Sequence, residues 1–277
     1  MIEKATNSIA SQHTDSNSFK KLSIQIGLNG LSFFVLDTLT NTVLLTDKIV
    51  LSDTATPYLL QKSLKEAIEK YRLKPSLFSE VSVIHQNSLF TLVPKPLFEV
   101  EELANYLKFN AKLLANDEVV YDELKNQGLV CVYVPFTNIN NLLFELFGEF
   151  EYKHLTTVVL QTLFNQKPSM KKVCYAHVSD GFFELAVFDQ KKMLFYNQFE
   201  YNTKEDFLYY ILFTYEQLQL STESIKLKLF GAIEEGDELY NICYDYIKKV
   251  VVFEPKTTVP LNFDQQDSID LTLLSSF

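Results

Sequence analysis

The pattern of hydrophobic and polar positions predicts the same group of three strands twice. In residues 22–51 and again in residues 173–199, short apolar runs alternate with polar residues at the period of a strand. Asn29-Gly30 and Asp180-Gly181 separate the first two runs of each group. Both dipeptides tolerate the positive φ angles that a tight hairpin needs. We infer an internal duplication with one copy in each half of the chain.

In the first half, the three predicted strands lead into a helix and a fourth strand. Thr56-Pro57 reads as an N-cap followed by proline at the first helical position. Apolar residues then recur at helical spacing up to residue 71, and residues 81–85 form an apolar run. Three antiparallel strands, a helix and a returning strand are typical of a ribonuclease-H-like unit.

The second half repeats this order with different residues. Thr203 is followed three positions later by Asp206, which predicts a capping box at the start of a helix. Residues 225–231 alternate strictly between apolar and polar and predict the fourth strand. We predict a further helix over residues 237–249 and a strand over residues 250–253.

The material between the two repeats has no counterpart in the second half. Pro94 and Pro96 end a strand, residues 100–114 predict a helix and residues 119–124 a short strand. The remaining predicted elements are a buried strand over residues 129–136 and helices over residues 137–148 and 155–164. We therefore predict a flexible N-terminal arm over residues 1–19, a first domain over 20–170 with an inserted subdomain at about 94–126 and a connecting helix, and a second domain over 171–277.

Composition and charge exclude several classes of function. The formal net charge is -10 and no run of basic residues is present, which argues against nucleic-acid binding. Cys131, Cys174 and Cys243 are isolated, so we interpret them as buried thiols in a reducing compartment. The sequence contains neither an apolar stretch of membrane-spanning length nor a signal peptide. We expect a cytoplasmic protein that does not insert into membranes.

The order of the predicted elements resembles a known superfamily. Two ribonuclease-H-like units in tandem, with an insertion in the first, resemble the actin-like ATPase fold of actin, the sugar kinases and the seventy-kilodalton chaperones. The stretch CVYVPFTNINNLLFELFGEFEYKHLTTVVLQTLF, which runs into KKVCYAHVSDGFFELAVFDQKKMLFYNQFEY, is most similar to the members from type IV pilus assembly and cell division. The chain also resembles an uncharacterised Bacteroidetes family of actin-like fold, to which no activity is attached.

This resemblance implies an α/β protein with two ribonuclease-H-like domains, each with a mixed five-stranded sheet, and a small inserted subdomain in the first. It covers most of residues 20–255 and depends on the order of elements. In the family, both hairpins bind nucleotide phosphates, and each begins with an Asp on its first strand followed by small residues in the turn. The carboxylate anchors Mg²⁺ and its waters, and the small residues let backbone N–H groups approach the phosphates.

In the first hairpin, Gln25 stands where the family has its Asp. Gly27, Asn29 and Gly30 follow it in the candidate phosphate loop. An amide keeps an oxygen acceptor but lacks the charge of a carboxylate. We therefore expect this hairpin to hold Mg²⁺ weakly.

In the second hairpin, His177 stands where the family has its Asp. Ser179, Asp180 and Gly181 occupy the candidate loop, and two phenylalanines follow where the family has small residues. A slip of one or two positions would bring Asp180 into the role, but its carboxylate would then lie in the turn. His177 has no partner at a motif spacing, and the favoured interpretation is a hydrogen-bonded strand histidine.

The turn after the predicted fourth strand of the second half corresponds to the adenosine side of the family's site. Gly231 and Ala232 are the candidate residues of this loop. Glu234 and Glu235 lie where an anionic nucleotide would approach, and like charges disfavour that approach.

Together these departures predict a chain that has kept the fold and lost the ATPase. We expect a pseudo-ATPase with no catalytic residue, no bound metal and no cofactor, which acts as a protein-interaction or scaffold component. Two alternatives remain open: a switch that binds ATP with Mg²⁺, and a small-molecule kinase, for which Asp180 is the candidate catalytic residue. The sequence identifies no protein partner and leaves homo-oligomer formation open.

The richness in aromatic residues adds one further lead. Residues 207–215 are apolar on nearly all sides of the predicted helix. Such a helix is either sandwiched between other elements or presents a partner-binding face, since Tyr and Phe are favoured at interfaces. The C-terminal residues 264–277 either pack back on the body or serve as a docking tail.

Overall fold

The computed structural model describes residues 19–51, 56–109, 112–114 and 116–256. These residues form two compact units, of which the first ends at Gln161 and the second comprises Thr162–Lys256. The domain boundaries inferred from the sequence stay a prediction. Residues 1–18 of the predicted arm and the C-terminal segment 264–277 lie outside the described residues.

Thirteen strands and six α-helices are found in the described residues. The first unit and the helix that leaves it contain β1 (Lys20–Gly27), β2 (Gly30–Asp37), β3 (Thr42–Val50), α1 (Pro57–Lys70), β4 (Glu80–Gln86), β5 (Phe90–Pro94), α2 (Leu103–Leu107), β6 (Val120–Leu124), β7 (Leu129–Tyr133), α3 (Thr137–Phe147), β8 (Glu151–His154) and α4 (Leu155–Phe164). The second unit contains β9 (Val173–Ser179), β10 (Phe182–Asp189), β11 (Lys192–Glu200), α5 (Lys204–Gln217), β12 (Lys226–Gly231), α6 (Glu238–Tyr246) and β13 (Val250–Val252).

Each unit is built on a mixed five-stranded sheet. The strand order is β3-β2-β1-β4-β8 in the first unit and β11-β10-β9-β12-β13 in the second. In both sheets the first three strands pair antiparallel, and the last two join them in parallel. The predicted α/β class and the two five-stranded sheets are confirmed.

The two sheets also share their irregularities. The register of the second and third strands shifts after Val35 in the first unit and after Val187 in the second. The turn that follows the second strand contains a residue with left-handed φ in both units, Asn41 at 52° and Gln190 at 55°. Because a β-bulge requires a specific backbone path, its recurrence at the same place supports the internal duplication.

The first hairpin turns one residue earlier than the sequence predicts. Leu28 and Asn29 form the turn, and Gly30 already pairs with Gly27 as the first residue of β2. A Cβ atom at Gly30 would lie 2.2 Å from the carbonyl oxygen of Ile49. This glycine is therefore required by the close approach of β3, whereas Asp180 and Gly181 form the second turn as predicted.

A small antiparallel sheet in the order β5-β7-β6 forms the inserted part of the first unit. In the described part of residues 100–114, the predicted helix is reduced to α2, which a 3-10 turn precedes. Val100, Phe109 and Leu114 are apolar residues within the predicted range, but all three are exposed. The pattern was misleading because these residues do not form a buried stripe. Val93, Leu107, Val130, Val132 and Val134 make up the buried core of this sheet.

The predicted helix starts that follow each group of strands are confirmed. The side chain of Thr56 accepts a hydrogen bond from the Leu59 backbone N–H at the start of α1. Thr203 and Asp206 form the complete capping box of α5. Both caps satisfy backbone N–H groups that the first helical turn leaves without a partner, so each helix starts at a defined residue beside its sheet.

The core of the second unit lies between its sheet and helices α5 and α6. Phe183 and Leu185 of β10 pack there with Phe207, Ile211 and Tyr215 of α5. Among the described residues the Tyr215 hydroxyl is the buried side-chain atom that lacks a hydrogen-bond partner. A buried polar group without a partner destabilises a protein by about 1–3 kcal/mol.

We expect Tyr215→Phe to leave the free energy of unfolding unchanged or to raise it by up to about 1 kcal/mol. The substitution removes the unpaired hydroxyl and keeps the ring in the core. Urea denaturation measures the effect. Tyr133→Phe is the matched control, because the Tyr133 hydroxyl donates to Asp122, and its loss should destabilise by about 1 kcal/mol. Destabilisation of Tyr215→Phe equal to that of the control would contradict the assignment.

Candidate functional site

Gln25 of the first hairpin is engaged by a second glutamine. Its side-chain Nε2 donates to Oε1 of Gln86 over 2.6 Å, and Gln25 is almost completely buried. Gln86 pairs in register with Gly27, where an added Cβ atom would lie 3.2 Å from the Gln86 side chain. The small residue at Gly27 therefore leaves room for the glutamine pair.

The same face of this sheet carries further neutral polar groups. Cross-strand register places Ser23 beside Ser82 and Gln25 beside Ser32, and all four are buried. Hydroxyl and amide groups of this kind offer hydrogen bonds but no negative charge for Mg²⁺.

His177 of the second hairpin forms a buried pair with Glu184. Its Nδ1 lies 3.1 Å from Oε2 of Glu184, and the side chains are only 2% and 0% exposed. The hydroxyl of Tyr196 donates to the other carboxylate oxygen of Glu184. The phenol is thus a donor to one carboxyl oxygen, and the imidazole Nδ1 lies within hydrogen-bond distance of the other. The carboxylate of Glu184 is thus satisfied from within the sheet.

The sequence interpretation missed Glu184, although the signal was available. A two-residue turn at Asp180-Gly181 fixes the register of β9 and β10, and that register places Glu184 directly opposite His177. Residues directly opposite in an antiparallel pair have neighbouring side chains. The predicted turn alone therefore implied this histidine–glutamate pair.

Gly231 at the end of β12 packs tightly against this pair. A Cβ atom there would lie 2.4 Å from the carbonyl oxygen of Val178 and 3.0 Å from Cδ2 of the His177 ring. Gly231 also has a left-handed φ of 95°, and the His177 ring lies 5.0 Å from the ring of Phe230. The glycine is required by contacts within the protein.

In the loop after Gly231, a carboxylate of the loop accepts a hydrogen bond from the loop's own backbone. The backbone N–H of Glu234 donates to Oδ2 of Asp237 over 2.7 Å. Ala232, Glu234 and Glu235 are exposed, so the glutamates add negative charge at this loop. A phosphate would meet repulsion here, because the backbone donor is already paired and the carboxylates carry the same sign.

The remaining candidate residues lie in or beside the turns. Asn29 and Asp180 lie in turns, and Asp180 and Gly181 are exposed. Ser179 is the last residue of β9 and pairs with Phe182. Within the described part of the chain, no group of three or more His, Cys, Asp or Glu side chains is arranged to hold a metal ion.

A second buried polar cluster, not foreseen from the sequence, lies in the first unit. The carboxylate of Asp122 accepts from the backbone N–H of His154, from the hydroxyl of Thr157 and from that of Tyr133. Burial raises the pKa of Asp122 to about 6, against the lowering effect of these hydrogen bonds. The cluster connects the small sheet to β8 and α4 through the side chain of one buried residue.

His85 is also buried beside α3. Its Nδ1 accepts from the Phe136 N–H, and Nε2 lies 2.9 Å from Oδ1 of Asn140. An acceptor at Nδ1 and a donor at Nε2 define a neutral imidazole. Burial lowers the pKa of His85 to about 3, which agrees with that neutral form.

Comparison with known families and structures places this geometry in context. Residues 10–250 match the family described as "Protein of unknown function (DUF3822)". The chain belongs to the DUF3822 family. No curated protein matches the sequence significantly. In the part of this DUF3822 protein that the structure describes, no helix is both long and apolar enough to cross a membrane.

Solved structures show that the fold is the actin-like ATPase fold. A protein of Bacteroides thetaiotaomicron with this fold and unknown function is similar with a TM-score of 0.76 and 22% identity, over 87% of this chain and 94% of that chain. A PilM-PilN type IV pilus biogenesis complex is similar with a TM-score of 0.51 and 15% identity, over 83% and 88% of the two chains. At these identities the similarity establishes the fold and carries no activity.

Gly231→Ala should destabilise the protein by about 2 kcal/mol or more, because the new methyl group meets the Val178 carbonyl and the left-handed φ is strained for alanine. Gly236→Ala is the control. Gly236 has a similar φ of 96° but nothing within 4 Å of an added Cβ, so only the conformational cost of about 1 kcal/mol applies. Thermal unfolding compares them, and equal losses would contradict the packing role of Gly231.

The free energy of unfolding of Asp122→Asn should increase relative to that of the wild type as pH rises. Folding raises the pKa of this carboxyl from 3.8 to about 6. Its contribution to stability is therefore complete below about pH 3.8 and is lost as pH rises through about 6. Between pH 4 and pH 7 the difference in free energy of unfolding between the variant and the wild type should change by roughly 2–3 kcal/mol.

Urea denaturation across this pH range measures the change. The control is Asp245→Asn, which makes the same substitution at an exposed position outside the buried cluster. A difference for Asp122→Asn that does not vary with pH would show that the buried carboxyl stays ionised throughout.

Proposed function

We propose that this DUF3822 protein is a non-catalytic, protein-binding member of the actin-like fold whose nucleotide site is degenerate. The observation that carries the proposal is the buried pair of His177 and Glu184. At the position where the resemblance expects a free carboxylate for Mg²⁺, the second hairpin has an imidazole hydrogen-bonded to a carboxylate of its own sheet.

The first hairpin supports the same proposal in another way. Gln25 contributes a neutral amide that is hydrogen-bonded to Gln86. Mg²⁺ binds through one or two carboxylates together with substrate phosphates, and a neutral amide does not supply the negative charge of a carboxylate.

The adenosine-side loop adds the third observation. The backbone N–H of Glu234 is bonded to Asp237, and the close packing of Gly231 on His177 accounts for the glycine without a ligand. The proposal therefore does not need a nucleotide to explain why these residues are present.

A role in binding other proteins agrees with the occurrence of this fold in the PilM-PilN complex. The surface of the second unit supports it as well, since Tyr209, Phe213, Tyr244 and Tyr246 are exposed on its helices. Tyr and Phe are enriched where proteins bind one another. Two alternatives compete with this proposal, an ATP-binding switch and a small-molecule kinase. Measured binding of ATP would favour either of them over a degenerate site.

Isothermal titration with Mg-ATP should give no binding up to about 1 mM nucleotide, and no phosphate should be released above the uncatalysed rate. Micromolar binding that is lost in Gln25→Ala and in Ala232→Trp, but kept in the exposed control Lys62→Ala on α1, would overturn the degenerate site. Phosphate transfer to a small molecule that depends on Asp180 would favour the kinase.

A further inference from the structure

Helices α5 and α6 of the second unit lie beside each other and leave a groove at the surface. The buried residues Phe207, Ile211 and Cys243 face the core. Between the two helices lies a groove of about 620 Å³, within the range of sites that enclose a ligand. Its lining residues recur at helical spacing, and the apolar ones are Leu208 and Leu212 of α5 and Ile242 of α6.

Aromatic rings flank this groove and face solvent. Tyr209 is 59% exposed and stacks on Phe213, with ring centroids 6.0 Å apart and planes at 19°. On α6, Tyr246 also lines the groove and is 60% exposed. Stacked rings are held in place by each other, so little side-chain entropy is lost when a partner covers them.

The rim of the groove is acidic. The charged residues that line the groove are three acids, Glu205, Glu238 and Asp245, and one base, Lys204. Among the described residues none of these three carboxylates forms an ion pair. Glu205 and Glu238 lie in first helical turns, where the helix dipole favours acids. Asp245 lies in the last turn of α6, where the dipole disfavours a carboxylate, so the helix itself does not explain it.

We propose that this groove binds a short amphipathic segment of a partner protein that carries Lys or Arg beside aliphatic side chains. Leu208, Leu212 and Ile242 would receive the aliphatic side chains, and the rim carboxylates the cations. Exposed aromatic rings add to this, because Lys and Arg are attracted to ring faces. The inference deepens the proposed protein-binding function and depends on it.

Charge argues against two other occupants. A second copy of the chain would bring acidic rim against acidic rim in a symmetric contact, within a protein of net charge -10. The C-terminal residues 257–277 are apolar enough to be considered, but they contain Asp264, Asp267 and Asp270 and no Lys or Arg. A basic partner is the one whose charge complements the groove.

The test is selection from a phage-displayed library of random peptides of about 16 residues, four to five helical turns, on the full-length protein. The selected peptides should be enriched in Lys or Arg together with Leu, Ile or aromatic residues. Their affinities are then measured by fluorescence anisotropy at about 150 mM salt, so that only close charge pairs contribute.

The groove variant combines Tyr209→Ala with Asp245→Lys. The control combines Tyr58→Ala with Glu69→Lys on α1, where both residues are exposed. Each double variant removes one exposed ring and changes the charge equally. The groove variant should weaken the selected peptides by about tenfold or more, and the control by less than about twofold.

Equal weakening in both variants would overturn the groove and indicate attraction to the acidic protein as a whole. Selected peptides that bind the groove variant normally would overturn the groove and leave the protein-binding function standing. A wild-type dimer that dissociates in the groove variant, seen by light scattering, would identify a second copy as the occupant. Failure to select any peptide, together with micromolar Mg-ATP binding, would instead overturn the proposed function.

Discussion

A carboxylate buried inside a protein must be paired, and in the second unit this constraint organises the hairpin. Leaving one partner of a buried charged pair alone destabilises a protein by about 3–5 kcal/mol. Glu184 is fully buried in the middle of β10, and its oxygens are satisfied by His177 on one neighbouring strand and Tyr196 on the other. These bonds connect three adjacent strands: His177 lies directly opposite Glu184, and Tyr196 lies two residues from Gln198, the residue opposite Glu184 on β11. The ring of His177 then limits which residue can stand at the end of β12. Position 231 must be glycine, because the His177 ring and the Val178 carbonyl leave no space for a side chain there.

The two hairpins occupy equivalent places in duplicated sheets, but their buried polar side chains are satisfied by different chemical groups. Gln25 and Gln86 pair two amides, whereas His177 and Glu184 pair an imidazole with a carboxyl group. In both cases a small residue, Gly27 or Gly231, packs against the paired side chains. Polar groups that no ligand satisfies must find partners within the protein. On the proposed function, this is why each hairpin has acquired an internal partner.

Most of the fold could be predicted from the sequence because local signals agree with the final structure. Thr56-Pro57 and the capping box of Thr203 and Asp206 start helices through contacts within one turn. The predicted helix over residues 100–114 fails because helical spacing alone does not show whether a residue is buried, and Phe109 is 95% exposed. The turn at Asn29-Gly30 is displaced for a similar reason, since the need for Gly30 comes from Ile49 on a strand that is distant in sequence.

The candidate site was predictable only as far as its backbone. The positions of Gln25 and His177 follow from the strand pattern, but the partners that decide their chemistry lie elsewhere. Gln86 is 61 residues away along the chain, and Asp122 meets His154 and Thr157 only after the small sheet has folded against β8 and α4. Glu184 is the exception, because a two-residue turn determines its register with His177. A site whose polar groups are satisfied by long-range partners is therefore recognised from contacts rather than from motifs. For the same reason, a missing motif residue such as the Asp expected at His177 says less about function than the partner that the replacement residue has found.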